Sequence, residues 1–573
     1  MERVRGPLVP GQAAPKAPRP PGELPVDASR PRSPLVPPQA GPPQVTGPSQ
    51  AEPSQTGPSR TVVPPQAGPS QTGIPPQAGI PQVTAPQTGI PPQAGLPQVT
   101  APQTGPSQTG AGAAPAAGLE ELRRRAAEVL LGNWTGASTV PSPALYPHQW
   151  SWDSAFIAIG LRHLSPERAQ CELETLLAAQ WDDGRVPHIV FNPVVPLGAY
   201  FPSPDFWRSS TAGRAAGAPA ATETSGIVQP PVHALAAWLV HRSDPDLSRR
   251  RGFLERAWPA LVAWHDYLRR CRDFGGDGLA AVLHPWEPGM DNSPCWDEPL
   301  DRVQPAPAGS FQRADLGHGD RADRPTDLDY GRYVALAAHY RDHGYRDAGT
   351  EHAFVVEDPG FNALLALSEN ALAAIAGELG RDAAPHRSRA RRLTAALVER
   401  LWDEEAGLFL CRDVRTGTLV RDRSVTGLLP LALPSLPGPV AQALVRTMTG
   451  PHFGLGTACG LVPSYDLRGR AFDASRYWRG PAWFNVNWLL ERGLRQHGET
   501  ALADALEQAV LASAGGSGFA EYVDPHTGQA RGATGFSWTA AVVLDLLART
   551  GRAAEARAGT AAGAAAAVAK AGG

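Results

Sequence analysis

The stretch HPWEPGMDNSP, residues 284–294, sets two carboxylates, Glu287 and Asp291, among three prolines, a glycine, a tryptophan and a methionine. Surroundings of this kind strip water from a carboxyl and raise its pKa, because burial penalises the charged form. A carboxyl so placed keeps its proton near neutrality and serves as a general acid. A second string, GFAEYVDPHTG at 518–528, sets Glu521 and Asp524 beside Tyr522 in a glycine-bounded turn. One protonated and one ionised carboxyl is the pair that glycoside hydrolysis requires. Spacing alone does not choose between Glu287 and Asp291, or between Glu521 and Asp524. Capping, turn-forming and buried hydrogen-bonding roles stay open for all four.

Other chemistries lack their residues. His148, His188, His233 and His284 lie far apart, and neither His-Glu-x-x-His nor Cys-x-x-Cys occurs, so no metal site is expected and these histidines read as structural hydrogen-bonding groups. Phosphate-cradling glycine loops and the Gly-x-Ser-x-Gly nucleophile elbow are absent as well, and no cofactor is expected. What remains is carboxylates with aromatics, a pairing suited to sugars, whose rings offer apolar faces and hydroxyl rims.

Helices must position these groups. SPERAQCELETLLAAQ opens with Ser165 as N-cap and Pro166 at the first helical position, and Ala169, Leu173, Leu176 and Leu177 then share one face. Similar stripes recur over 252–270, 329–341, 358–380, 386–402, 439–448, 482–496, 500–513 and 537–549. Strand patterns are scarce; GLFLCRDVRTGTLV reads as one small hairpin around Thr416-Gly417. The residues that look chemical lie between the stripes, in irregular segments 133–153, 181–229, 284–327, 450–482 and 515–536. Segments of such length inside a compact domain are usually functional. They hold Tyr146, Trp150, Trp152, Trp181, Tyr200, Phe201, Trp207, Trp286, Trp296, Tyr477 and Trp478, with Trp483 just beyond. An all-α body with such loops predicts a barrel of paired helices with a pocket at one end.

Ten strings in order extend this reading. LYPHQWSWDSAFIAIGL, AQWDDGRVPHIVF, YFPSPDFW and TSGIVQPPVHA precede HPWEPGMDNSPCWD; YGRYVAL, VEDPGFNALL, YWRGPAWFNVNWL, EYVDPHTG and FSWTAAVVLDLL follow it. Together they resemble the bacterial branch of glycoside hydrolase family 63, and most of all its hydrolases of glucosylglycerate and mannosylglycerate. The resemblance covers about 120–549 and implies an (α/α)6 barrel and an inverting mechanism. It implies Asp291 as general acid, from Gly-Met-Asp-Asn-Ser-Pro, and Glu521 as general base, from Glu-Tyr-x-x-Pro-x-Thr-Gly. Tyr146, Trp150, Trp152 and Asp153 resemble residues that hold the sugar, joined by Gln229 and Trp483, with Trp286 beside the acid. Tyr200, Arg332, Tyr477 and Trp478 resemble those around the leaving group, where a guanidinium would clamp the glycerate carboxylate; a salt bridge of Arg332 to Asp327 or Asp329 is the competing role. One departure bears on the substrate: Gly535-Phe536 stands where a polar pair is expected before SWTAA.

The remaining bulk properties bound the setting. Residues 1–119 are rich in Pro, Gln, Gly and Thr, and GIPPQAGIPQVTAPQT recurs once with a single change; such a segment is expected to stay disordered. The folded domain is expected over 120–550, with an Ala/Gly-rich tail at 551–573. A net charge of −3 without a basic stripe argues against nucleic acid, and no apolar run suits a membrane span. Five dispersed cysteines and an N-terminus without an apolar signal core fit reduced thiols in a cytoplasmic protein. The expected partner is a small sugar substrate; a homo-oligomer stays open. Two other functions compete: an α-glucosidase for a neutral disaccharide, and a sugar-binding module without turnover. A terpene cyclase would need an aspartate-rich cluster that the chain lacks.

Overall fold

The computed structural model describes residues 116–317 and 320–550. The expected low-complexity segment and the Ala/Gly tail fall almost wholly outside these residues. The first helix, Ala116–Gly132, starts just ahead of the expected boundary at 120.

Every striped segment is helical. Ser165 caps Pro166–Leu177 by accepting a hydrogen bond from the Arg168 backbone N–H at 3.3 Å. Phe253–Cys271, Asp327–Asp342, Pro359–Glu378, Ala384–Arg400, Gly438–Thr449, Phe484–Gln496 and Thr500–Gly516 follow the expected order, with a last helix over 537–550. Asp327–Asp342 begins in a reciprocal capping box between Thr326 and Asp329.

Two further helices, both largely buried, carry no stripe. Every residue of Ser151–Leu161 is buried, and His233–Ser243 is buried on most sides. A helix enclosed all round has no polar face to reveal its period. A third inner segment, Val425–Ala432, is 3-10 helical and also buried along nearly its whole length.

These enclosed segments touch one another in sequence order. Ser151–Leu161 packs on His233–Ser243, which packs on Pro359–Glu378; Val425–Ala432 sits against both Pro359–Glu378 and Phe484–Gln496. Residues 537–550 join the two ends: the Trp488 indole N–H donates to Asp545 at 2.9 Å, and Gly160 lies against Ala541. A Cβ at Gly160 would fall 2.3 Å from the Ala541 Cα, so only glycine lets the two backbones approach this closely. Amphipathic helices cover this inner set: Pro166–Leu177 on Ser151–Leu161, Phe253–Cys271 on His233–Ser243, Ala384–Arg400 on Pro359–Glu378, Gly438–Thr449 on Val425–Ala432, and Thr500–Gly516 on Phe484–Gln496. One apolar core runs through both layers.

The strands are two-residue ladders that tie loops together. The hairpin at Gly417 forms between Arg412–Asp413 and Thr418–Leu419, with Gly417 at φ +72°. Leu408–Phe409, read as part of that hairpin, pairs instead with Trp402–Asp403. Two other ladders matter for the site: Gln149–Trp150 with Ile189–Val190, and Ala482–Trp483 with Tyr522–Val523. None of the five cysteines is in a disulfide, and no helix among the described residues is long and apolar enough to cross a membrane.

Candidate active site

The irregular segments converge on one cavity. Segment 133–153 contributes Tyr146, Trp150, Trp152 and Asp153; segment 181–229 contributes Tyr200 and Gln229. Trp286 and Asp291 come from the 284–327 stretch, Tyr477, Trp478 and Trp483 from the far side, and Glu521 from the last loop. Twelve of the thirteen site residues named from sequence thus face the same space.

The four carboxylates separate by their partners. Glu287 is fully buried away from the cavity: Arg272 donates to its two oxygens at 2.7 and 2.8 Å, and the Leu283 N–H donates at 2.6 Å. That pair anchors the loop base. Removing one member of a buried ion pair strands the other, at a cost of about 3–5 kcal/mol. Glu287→Ala is therefore expected to lose about that much stability in denaturant unfolding. Asp524 accepts from the His526 and Thr527 backbone N–H groups at 2.9 Å each, which makes it a turn residue. Asp291 and Glu521 remain, both on the cavity wall.

The loop around Asp291 is tightly specified. The His284 Nδ1 accepts from the Trp286 N–H at 3.0 Å, so its Nε2–H donates to the Tyr333 carbonyl at 2.9 Å. Burial accordingly lowers the His284 pKa to about 4. Trp296 donates its indole N–H to the Met290 carbonyl at 2.7 Å. Gly289 adopts φ +70°, and a Cβ there would lie 2.6 Å from the Trp152 ring. Asn292 also takes a left-handed conformation, φ +64°, with its side-chain oxygen accepting from Arg479 at 3.1 Å. Arg479 is itself held by Asp297 at 2.9 Å.

Burial, reinforced by the charge of Glu521, raises the Asp291 pKa to about 7. Glu521 is raised by burial too, but Arg324, the Ala533 N–H and the Tyr146 hydroxyl pull it back down. Tyr146 donates to one Glu521 oxygen at 3.1 Å, and Ala533 to the other at 3.2 Å. Those donors favour the ionised form. Burial first, then the charge of Glu521, likewise pushes Asp153 well above the usual carboxylate range. An acid must be protonated to act, so kcat is expected to fall as pH rises through about 7, the Asp291 value. A kcat–pH profile checks this; the falling limb should vanish in Asp291→Asn.

The aromatic walls are built for a ring. Trp478 and Trp483 stack at 3.9 Å with planes 4° apart, and Tyr522 continues the stack 4.4 Å from Trp483. Trp150 stands edge-on to Tyr146, His188 and Tyr200, and its buried indole N–H has no partner among the described residues. Gln229 accepts from the Trp152 N–H at 3.1 Å, leaving its amide NH2 available to the cavity.

Arg332 is the exception. It does not line the cavity; its partner is Asp301, at 3.2 Å, rather than Asp327 or Asp329. Asp327 and Asp329 are engaged elsewhere, by Arg313 and Thr326 among others. The cation on the cavity wall is Arg324, eight residues earlier and only 5 % exposed. It donates to the Tyr146 hydroxyl at 3.4 Å and lies 5.2 Å from the Tyr477 ring centroid. Among the described residues no carboxylate is within ion-pair distance of it. The string RADRPTD offered this arginine, with Pro325 restricting its backbone, but the helix residue drew the reading.

Other lining residues were missed. His188 keeps the structural hydrogen bond expected of it, to Ser225 at 2.8 Å, and also lines the cavity, stacked 6.3 Å from Trp286 with its pKa well lowered by burial. Tyr330 and Trp538 belong to the strings YGRYVAL and FSWTAAVVLDLL, where neither had been given a role. Asp315 lies in a stretch with no motif. Phe536, of the departing Gly535-Phe536 pair, lines the cavity edge-on to Tyr146 at 5.8 Å.

A desolvated acid and a second carboxyl fixed by a hydroxyl and a backbone N–H, enclosed by stacked indoles, define the chemistry of a glycoside hydrolase. The model of the mannosylglycerate hydrolase MGH1-like glycoside hydrolase domain matches residues 146–539, and the chain belongs to this family. It is 42% identical over 434 residues to the mannosylglycerate hydrolase of Rubrobacter radiotolerans, covering 75% of this chain and 97% of that protein. It is 40% identical over 440 residues to the glucosylglycerate hydrolase of Mycolicibacterium hassiacum, covering 74% and 98%. The crystal structure of the family 63 mannosylglycerate hydrolase from Thermus thermophilus with Tris and D-glycerate superposes with a TM-score of 0.68 at 40% identity, covering 74% of this chain and 99% of that one.

Proposed function

We propose that this chain is an inverting α-glycosidase that hydrolyses glucosylglycerate or mannosylglycerate to glycerate and the free hexose. Asp291 protonates the departing glyceryl oxygen, and Glu521 activates a water on the opposite face of the sugar. The observation that carries the substrate is Arg324, a buried guanidinium on the cavity wall with no carboxylate within ion-pair distance among the described residues. Burying an arginine without an anion is costly, and a ligand carboxylate would fill that role bidentately. The named relatives act on glycerate glycosides, in line with that requirement.

The scaffold reads as an (α/α)6 barrel. Six enclosed segments, at 151–161, 233–243, 359–378, 425–432, 484–496 and 537–550, contact their neighbours in order, and the last returns to the first. Five amphipathic helices, with Ala116–Gly132 as the sixth, form the outer ring. A metabolite so small and anionic points to work in the cytoplasm, where the five free cysteines stay reduced.

Proton NMR of the full chain with each glycerate glycoside in turn tests the reading. The β-anomer of the hexose is expected first. An initial α-anomer would mean retention and sink the mechanism; turnover of a neutral α-disaccharide with neither glycerate glycoside accepted would sink the substrate.

A further inference from the structure

Asp315 is a further charged group on the wall of the cavity that holds Arg324. Asp315 belongs to the 3-10 turn Ala314–Gly317 and lines the same cavity. Its carboxylate is held as a fork: the Arg313 Nε donates to one oxygen at 2.9 Å and the Nη2 to the other at 2.8 Å. Arg313 is in turn fixed by the Pro325 carbonyl at 2.9 Å, by Asp327 at 2.7 Å, and by the Tyr330 ring, 4.3 Å from its guanidinium carbon. The turn is thereby stapled to the segment that carries Arg324.

Asp315 shares the cavity wall with Asp291, Tyr200 and Tyr330. The leaving oxygen must meet Asp291, so groups around Asp291 face the aglycone. A carboxylate has about four lone-pair sites, of which Arg313 uses two. The others remain available to a hydroxyl donor.

We infer that Asp315 is a specificity residue for the aglycone: it accepts a hydrogen bond from the free hydroxyl of glycerate and excludes aglycones in which that hydroxyl bears a phosphate. The inference rests on the glycerate reading of the site. Phosphorylation removes the donor and adds roughly 1.5–2 negative charges. No uncommitted cation on this wall is left to receive them, because Arg324 takes the carboxylate and Arg313 already serves Asp315 and Asp327. Like charges set against each other across a site suppress binding of the wrong ligand.

The test compares kcat/KM of the full chain on a glycerate glycoside and on the corresponding 3-phosphoglycerate glycoside, for wild type, Asp315→Asn and Asp315→Ser. Wild type is expected to prefer the unphosphorylated substrate by about 100-fold, and both variants to narrow that ratio by about 10-fold, chiefly through a lower KM for the phosphorylated one. Melting temperatures identify a variant that fails to fold, and the other then decides. A ratio unchanged in a folded variant, or wild type taking both substrates equally, overturns the role of Asp315 alone. Wild type turning over neither substrate overturns the glycerate reading and this inference with it.

Discussion

Asp291→Asn is expected to lower kcat on a glycerate glycoside by about 10³-fold while leaving the affinity for sugar close to wild type. The side chain keeps its shape and its place between Gly289 and Asn292, so the loss reports the proton alone. An aryl glycoside with a good leaving group needs little protonation, and on it the same variant should recover much of its rate. Glu521→Gln should lose a similar factor on both substrates, because attack by water needs a base whatever departs. If Asp291→Asn were equally impaired on both, the acid role would fall. Stability moves the other way. Burial raises the Asp291 pKa from 3.8 to about 7, so the folded state has its full advantage below the unfolded value and has lost it once pH rises through about 7. At pH 8 the asparagine variant should melt no lower than wild type.

The second large effect belongs to Arg324. Arg324→Ala should cut kcat/KM on glycerate glycosides by about 100-fold or more, as expected when one partner of a buried, hydrogen-bonded charge pair is removed. Neutral α-glucosides should be affected far less, and Arg324→Lys should restore only part, since an ammonium does not reproduce the bidentate fork. Arg332→Ala is the control: its partner Asp301 is 78% exposed, and pairs of that kind contribute about 0–1 kcal/mol. Steady-state kinetics on both substrates for both variants separates the two arginines. A large loss at Arg332 with none at Arg324 would return the clamp to the residue named from sequence.

That exchange of arginines shows where the sequence was legible. Outer helices announced themselves because one face meets solvent, as in Pro166–Leu177 with its capping serine. Of the inner set, Ser151–Leu161 and His233–Ser243 did not, because burial on most sides erases the periodic contrast, whereas Pro359–Glu378 and Phe484–Gln496 still showed their stripes. Among the carboxylates, composition marked two loops that both reach the cavity, since apolar neighbours are a local property. It did not separate Asp291 from Glu287, because the partner that consumes Glu287 is Arg272, in another segment and visible only after folding. Arg332 and Arg324 differ in the same way: eight positions apart, they part company at the N-cap Thr326, with one carried off on a helix and the other left on the cavity wall. Asp315 had no local signal at all, as its role depends on what stands across the cavity.

The bond from Tyr146 to Glu521 joins residues 375 positions apart, and close by the Ser537 N–H meets the Pro141 carbonyl. Early and late parts of the domain to be synthesised are therefore fastened together at Glu521, the proposed base. A nascent polypeptide still on the ribosome, or a product truncated before the loop at 515–536, would hold Asp291 and most of the indoles yet lack Glu521 and its bond to Tyr146. Catalysis here should arrive all at once, on completion of the domain, with no weaker activity in a fragment that ends before Glu521.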